Sequence, residues 1–202
     1  MAPLRASLPA RRSITWIAAL SSVVLLGLIF WPRPGLAEID GDLYSSPTWG
    51  ITARAPHGWQ LTDKTSYPNI LVVMSRTDPD AKILLSAQHV PTGETTREYA
   101  EKTAVLLHDM GFHLGLPRRH AATGARWFDL ETKDAFLRQA YWVSGDIGFA
   151  LTLTTPSPVI RNQQLRAFDA VLRTVSITTP VAPPPQDAGP AEPASPPAPP
   201  PG

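Results

Sequence analysis

There is no cysteine among the 202 residues of the chain. A disulfide framework, a thiolate metal site, a cysteine nucleophile and a lipid-modified N-terminal cysteine are thereby excluded. Charge is scarce too, at 17% of residues, and its signs nearly cancel, with 18 bases against 17 acids. That balance hides an asymmetry. Arg5, Arg11, Arg12 and Arg33 all precede the first acid, Glu38, and from Glu38 onward 14 bases face 17 acids. The working part of the chain therefore has the wrong sign for a nucleic-acid binder. No G-x-S-x-G elbow, phosphate loop or dinucleotide fingerprint occurs. The chain reads as a non-enzyme with no cofactor.

One long apolar run is present. Ile14 to Trp31 passes 18 positions without a charge, with arginines before it and Glu38, Asp40 and Asp42 after it. Arginines stay on the cytoplasmic side, which sends the rest of the chain out. Two readings stand. An uncleaved anchor fits the length, since about 20 apolar residues cross a bilayer, and Trp16 and Trp31 bracket the run as interfacial aromatics do. A cleaved signal peptide over residues 1–37 fits Gly35-Leu36-Ala37, with the Ala37/Glu38 bond as the cut. The first puts the protein in the inner membrane with an extracytoplasmic domain; the second makes it periplasmic or secreted. Arg11-Arg12 also allows twin-arginine export, although a pair of arginines there serves equally as plain positive charge.

Residues 179–202 are expected to be a disordered tail. Eleven of the 23 prolines lie between Pro180 and Gly202, and no apolar side chain larger than that of Val181 is available to pack. Such a stretch cannot offset the entropy of ordering and favours extended polyproline coil. It reads as a spacer, with its PxxP spacings leaving a docking peptide as the other reading.

Between these ends, residues 38–46 read as linker and 47–178 as one globular domain. Trp49 to Ala53 alternates and then meets the turn Pro56-His57-Gly58-Trp59. Asn69 to Ser75 is apolar on both parities, which predicts a strand covered on both faces. Lys82 to His89 returns. Thr95 and Glu98 form a capping box and Gly111 stops the helix, with Tyr99, Leu106, Leu107 and Met110 at helical spacing. A short strand over 112–116, a basic loop (Arg118, Arg119, His120) and the Thr123-Gly124 turn follow. Strands over 125–132, 136–143 and 147–154 are joined by tight turns. In the last, Gly148, Ala150 and Thr152 form a face small enough for a helix to approach closely. Ser157-Pro158 opens a second helix, buried through Leu165, Phe168, Val171 and Leu172. Val175 to Ile177 closes the domain. The expected fold is α+β: an antiparallel sheet of about seven strands packed by two main helices.

Four features together resemble the PsbP/Mog-type sandwich, and within it small exported bacterial domains similar to DcrB. They are the P-x-G-W turn at Pro56 to Trp59, the capped T-T-x-E-x-A helix from Thr95 to Ala100 ending at Gly111, the Thr123-Gly124-Ala125 turn leading into Trp127-Phe128, and the final strand–helix pair ending in Phe168, Val171 and Leu172. The resemblance covers about residues 47–178. It implies a non-catalytic binding or assembly factor and carries over no site residues.

Candidate sites are few. His108 and His113 are five apart, but Gly111 breaks the helix between them, so they do not share a face as metal ligands would. His89 ends an apolar face and reads as a rim residue. Asp129 and Glu131 alternate with Phe128 and Leu130 as a solvated strand face. Aromatics beside arginine are the pattern of interface anchors, so Trp127, Arg138 and Trp142 are the candidate partner surface; half-covered positions under a helix edge are the other reading. Pro56, Gly58 and Trp59 read as a structural turn whose tryptophan plugs the core. The function expected is an exported or anchored envelope module that binds an unidentified envelope protein, touching the membrane through residues 14–31 if uncleaved. The alternative is a periplasmic small-ligand or ion carrier, which a pocket with convergent polar groups would favour.

Overall fold

A computed structural model describes residues 37–67 and 69–178. The apolar run 14–31 and the Pro-rich segment 179–202 lie outside the described residues. Among those described, no helix is long and apolar enough to cross a membrane.

The described chain is α+β. Its strands are β1 (Glu38–Asp40), β2 (Leu43–Ser46), β3 (Ile51–Arg54), β4 (Gln60–Thr62), β5 (Ile70–Thr77), β6 (Asp80–His89), β7 (His113–Leu114), β8 (Arg118–Arg119), β9 (Arg126–Glu131), β10 (Phe136–Ser144), β11 (Ile147–Thr155) and β12 (Ser176–Ile177). Helix α1 (Thr96–Asp109) lies between β6 and β7, and α2 (Pro158–Thr174) between β11 and β12. An eight-stranded antiparallel sheet runs β4-β5-β6-β11-β10-β9-β7, with β8 also paired to β9. A second sheet of four strands, β1-β2-β3-β12, was not anticipated from the sequence.

Residues 38–46 are not linker. They form β1 and β2, and Tyr44 and Ser46 are buried. Gly41, at φ 59°, turns the chain between the two strands. The acids of β1 are solvent-facing, so pairing to β2 rather than an apolar pattern makes it a strand. The basic loop is likewise part strand: Arg118 and Arg119 pair with Trp127 and Arg126.

The large sheet is packed on both faces, on the second mainly over β7, β9 and β10. On one, α2 and the small sheet cover Ile83, Leu85, Phe149, Leu151 and Leu153. On the other, α1 covers Phe128, Leu130, Leu137 and Tyr141. The double parity of β5 has a local cause. A bulge between Ile70 and Val72 shifts the register, so Leu71 and Val72 are both buried although adjacent, while Val73 and Ile70 are only half-covered.

The caps work as the sequence pattern predicts. Thr95 Oγ1 accepts from the Glu98 N–H at 3.2 Å, and the Glu98 carboxylate accepts from the Thr95 N–H at 2.9 Å. At the other end the Gly111 N–H donates to His108 O and the Phe112 N–H to Leu107 O, a Schellman turn with Gly111 at φ 87°. Phe112 and Leu107 then share the same apolar cluster. The buried stripe of α1 is Tyr99, Ala100 and Leu107, so it departs from the predicted one at Met110, which is exposed. In α2, Ser157 Oγ accepts from the Ile160 N–H, and Phe168, Val171 and Leu172 are buried.

Candidate functional site

The three residues expected to form one partner surface are divided by the fold. Trp142 is a core residue: it is 8% exposed and stacks on Phe149 with ring centroids 5.7 Å apart. Its position on β10 points to the α2 side, where it packs on Phe149 of β11, and this corrects the expectation of an accessible tryptophan. Trp127 and Arg138 do meet. The Arg138 guanidinium lies 3.9 Å from the centre of the Trp127 ring and Arg118 lies 5.4 Å from it. Arg138 also holds Asp129 with two bonds, Nε–Oδ1 at 2.8 Å and Nη2–Oδ2 at 3.0 Å. Cation–π and bidentate contacts thus consume the arginine's charge internally. Asp129 and Glu131 face this side as well, and Glu131 accepts from Arg161 of α2 at 3.4 Å. This face of β9 is a knitted side-chain network, exposed at Arg118 and Glu131.

Trp59 is 7% exposed and lies in the larger core cluster. The backbone N–H of Trp59 donates to Pro56 O at 3.1 Å across Gly58, which sits at φ 79°. Proline fixes one backbone angle and glycine accepts the left-handed one, so the chain reverses and drives the indole inward.

The other face of β9 carries a groove of about 350 Å³ between α1 and the β7–β8 edge. Sequence reasoning does not bring its residues together as a site; it weighs His108 only as a metal ligand and reads Phe128 only as a strand residue. Ala100, Ala104, Leu114 and Phe128 make an apolar floor, and Phe128 is backed by the buried Tyr141 ring at 5.2 Å. Arg97 and Arg126 stand at one end. Thr96 Oγ1 accepts from the Val143 N–H at 3.0 Å and Arg126 is in register with Tyr141, which brings the first turn of α1 to the start of β9. His108 and Val105 line the groove toward the far end of the helix. The signal that could have found it is a gap: between Asp109 and Asp129 the chain has three arginines, two histidines and no acid.

The histidines are dispersed. His57, His89, His108 and His113 are exposed, and His89 Nδ1 is 3.7 Å from Asp146 while its ring lies near Trp49. Among the described residues no three His, Asp or Glu side chains are placed to share a metal ion. The perturbed groups are mostly structural. Burial pushes Tyr44 up to about 12. Burial, followed by the charge of Glu94, raises Tyr99, and burial raises Tyr141. The Tyr141 hydroxyl donates to Gln139 Oε1. Glu94 itself is paired with Lys102 at 2.7 Å.

No protein-family model matches the chain, and no curated protein matches it. Among solved structures it is similar to the solution structure of cyanobacterial PsbP (CyanoP) from Synechocystis sp. PCC 6803, with 17% identity, 75% of this chain and 99% of that chain covered, and a TM-score of 0.48. That protein carries the PsbP name under which the sequence resemblance was drawn.

Proposed function

We propose that the chain is an exported or membrane-anchored envelope protein whose folded part is a non-catalytic protein-binding module. Export is supported by the arginines before residues 14–31 and the acids after them. The observation that carries the binding reading is the β7–β8 edge. Leu116, between the two strands, is 82% exposed, and Val105 on the adjoining face of α1 is 62% exposed. Arg118 and Arg119 follow Leu116 directly. Apolar side chains held in solvent beside arginine are the composition of interface anchors rather than of ordinary surface. The test is photo-crosslinking in cells, with benzoyl-phenylalanine placed at Leu116 and, as a control, at the likewise exposed Val159 of α2, which is 64% exposed. A discrete adduct from position 116 and none from 159 is expected. Absence of any adduct from 116 rejects the reading.

A second reading, a small-ligand carrier, is favoured by the groove. Its volume lies within the roughly 300–1,000 Å³ of small-molecule sites, and its floor is apolar with a few polar groups at the rim.

A further inference from the structure

We infer that the groove between α1 and β9 takes a single-chain amphiphile with an anionic head, the head held by Arg97 and Arg126 and the chain lying on Ala100, Phe128, Ala104 and Leu114. This deepens the carrier reading of the same groove. Charge favours an anionic head. Arg126 is half-buried, and its guanidinium has no carboxylate partner among the described residues. Arg97 has one, Glu101 at 3.5 Å, and both members of that pair are well exposed, so it is weak and exchangeable. Glu101 is the sole acid lining the groove. Glu94 and Asp129, the nearest acids in sequence to its two arginines besides Glu98 and Glu101, are committed to Lys102 and Arg138. Glu98 is bound into the helix cap. An anion entering the Arg97–Arg126 end therefore meets two donors and displaces one solvated contact.

Shape supplies the other half. The cationic end is confined to the first turn of α1, and the floor beyond it is alanine, leucine and phenylalanine. The two alanines of α1 keep the trough open where larger side chains would fill it. At roughly 30 Å³ per non-hydrogen atom the space holds about a dozen atoms, the size of a ten-carbon carboxylate. A neutral apolar ligand would leave the guanidiniums unused, and a small inorganic anion would leave the floor wet.

The head chemistry is shared by a fatty carboxylate and an alkyl phosphate, and the experiment separates them. The protein, in whole cells that express it, is exposed to a decanoic acid bearing a diazirine, and the labelled peptides are mapped. Labelling of the peptides holding Val105 and Leu114–Pro117 is expected, competed by decanoate or by decyl phosphate according to the head preferred. Arg126→Gln should reduce this labelling about tenfold, as loss of a charge-assisted contact does, with its melting temperature unchanged. Ala104→Trp should block it by filling the trough. Equal labelling by the diazirine of decanol, or insensitivity to Arg126→Gln, overturns the anionic head while leaving a carrier in place. Labelling confined to residues 14–31 overturns both.

Discussion

The ring of Tyr99 is seated on Gly148. A β-carbon at Gly148 would stand 2.9 Å from Tyr99 Cζ and 2.7 Å from Val90 Cγ1, closer than real contacts allow. The glycine is there for space, because the Tyr99 ring of α1 and the Val90 side chain lie directly over it. Gly148→Ala should therefore destabilise the protein by about 1–3 kcal/mol, read by urea unfolding. In a Tyr99→Ala background the same substitution should cost measurably less. Strict additivity would place the obstruction elsewhere.

Trp59 and Trp142, both buried, should respond differently because the substitutions remove different things. Trp59→Ala should cost about 3–5 kcal/mol, seen as a large fall in melting temperature. Trp142 is also buried, but its Nε1 has no hydrogen-bond partner. Trp142→Phe keeps the stacking partner for Phe149 and removes an unpaired donor, so it should cost less than about 1.5 kcal/mol. A stable Trp59→Ala protein would contradict the packing described for the turn.

Alkaline unfolding should be steep. Tyr44, Tyr99 and Tyr141 all have raised values, chiefly through burial. A raised tyrosine favours the protonated folded state, so its contribution is complete below about pH 10, the unfolded value. For Tyr44 it is lost as pH climbs from there to about 12, a change of roughly 2–3 kcal/mol. Tyr44→Phe should shift the alkaline midpoint upward in a pH titration followed by circular dichroism. An unchanged midpoint would show that Tyr44 is solvated before global unfolding.

The cap of α1 gives an acid-side counterpart. Thr95→Ala should cost about 1 kcal/mol. Glu98 is held below its ordinary value by the Thr95 backbone and then side-chain hydrogen bonds. A lowered carboxylate stabilises above its unfolded value and ceases to do so as pH falls through the folded one. The stability gap between the natural protein and Glu98→Gln should therefore close on acidification, as measured by melting at successive pH values.

The helices and long strands were legible because each announces itself locally: Thr95 and Glu98 at one cap, Ser157 and Pro158 at the other, and the alternation of Ile147 to Leu153. Gly148 was legible as a helix-facing position for the same reason, since a small-residue parity needs only the strand to be known. The small sheet was not legible. Its strands have two to four residues, and β1 is acidic and exposed, so only a partner strand makes it regular. Trp142 was misplaced because alternation tells which residues share a face, while burial depends on what covers that face. The groove was not legible because Arg97 and Arg126 are 29 positions apart and come to line one groove only when α1 folds onto β9.

The small sheet contains both ends of the described fold, β1 at Glu38 and β12 at Ile177. Mechanically, it carries any load transmitted between the segment before the domain and the segment after it. β12 grips β3 by two residue pairs, extended by one bond from the Thr178 N–H to Gly50 O, and β1 grips β2 by three pairs. The β10–β11 ladder at the centre of the large sheet has nine. Tension on the two ends would peel β12 or β1 away well before it reached that ladder. The domain can thus yield at its margins under force and recover, with its main sheet and the α1 groove still assembled.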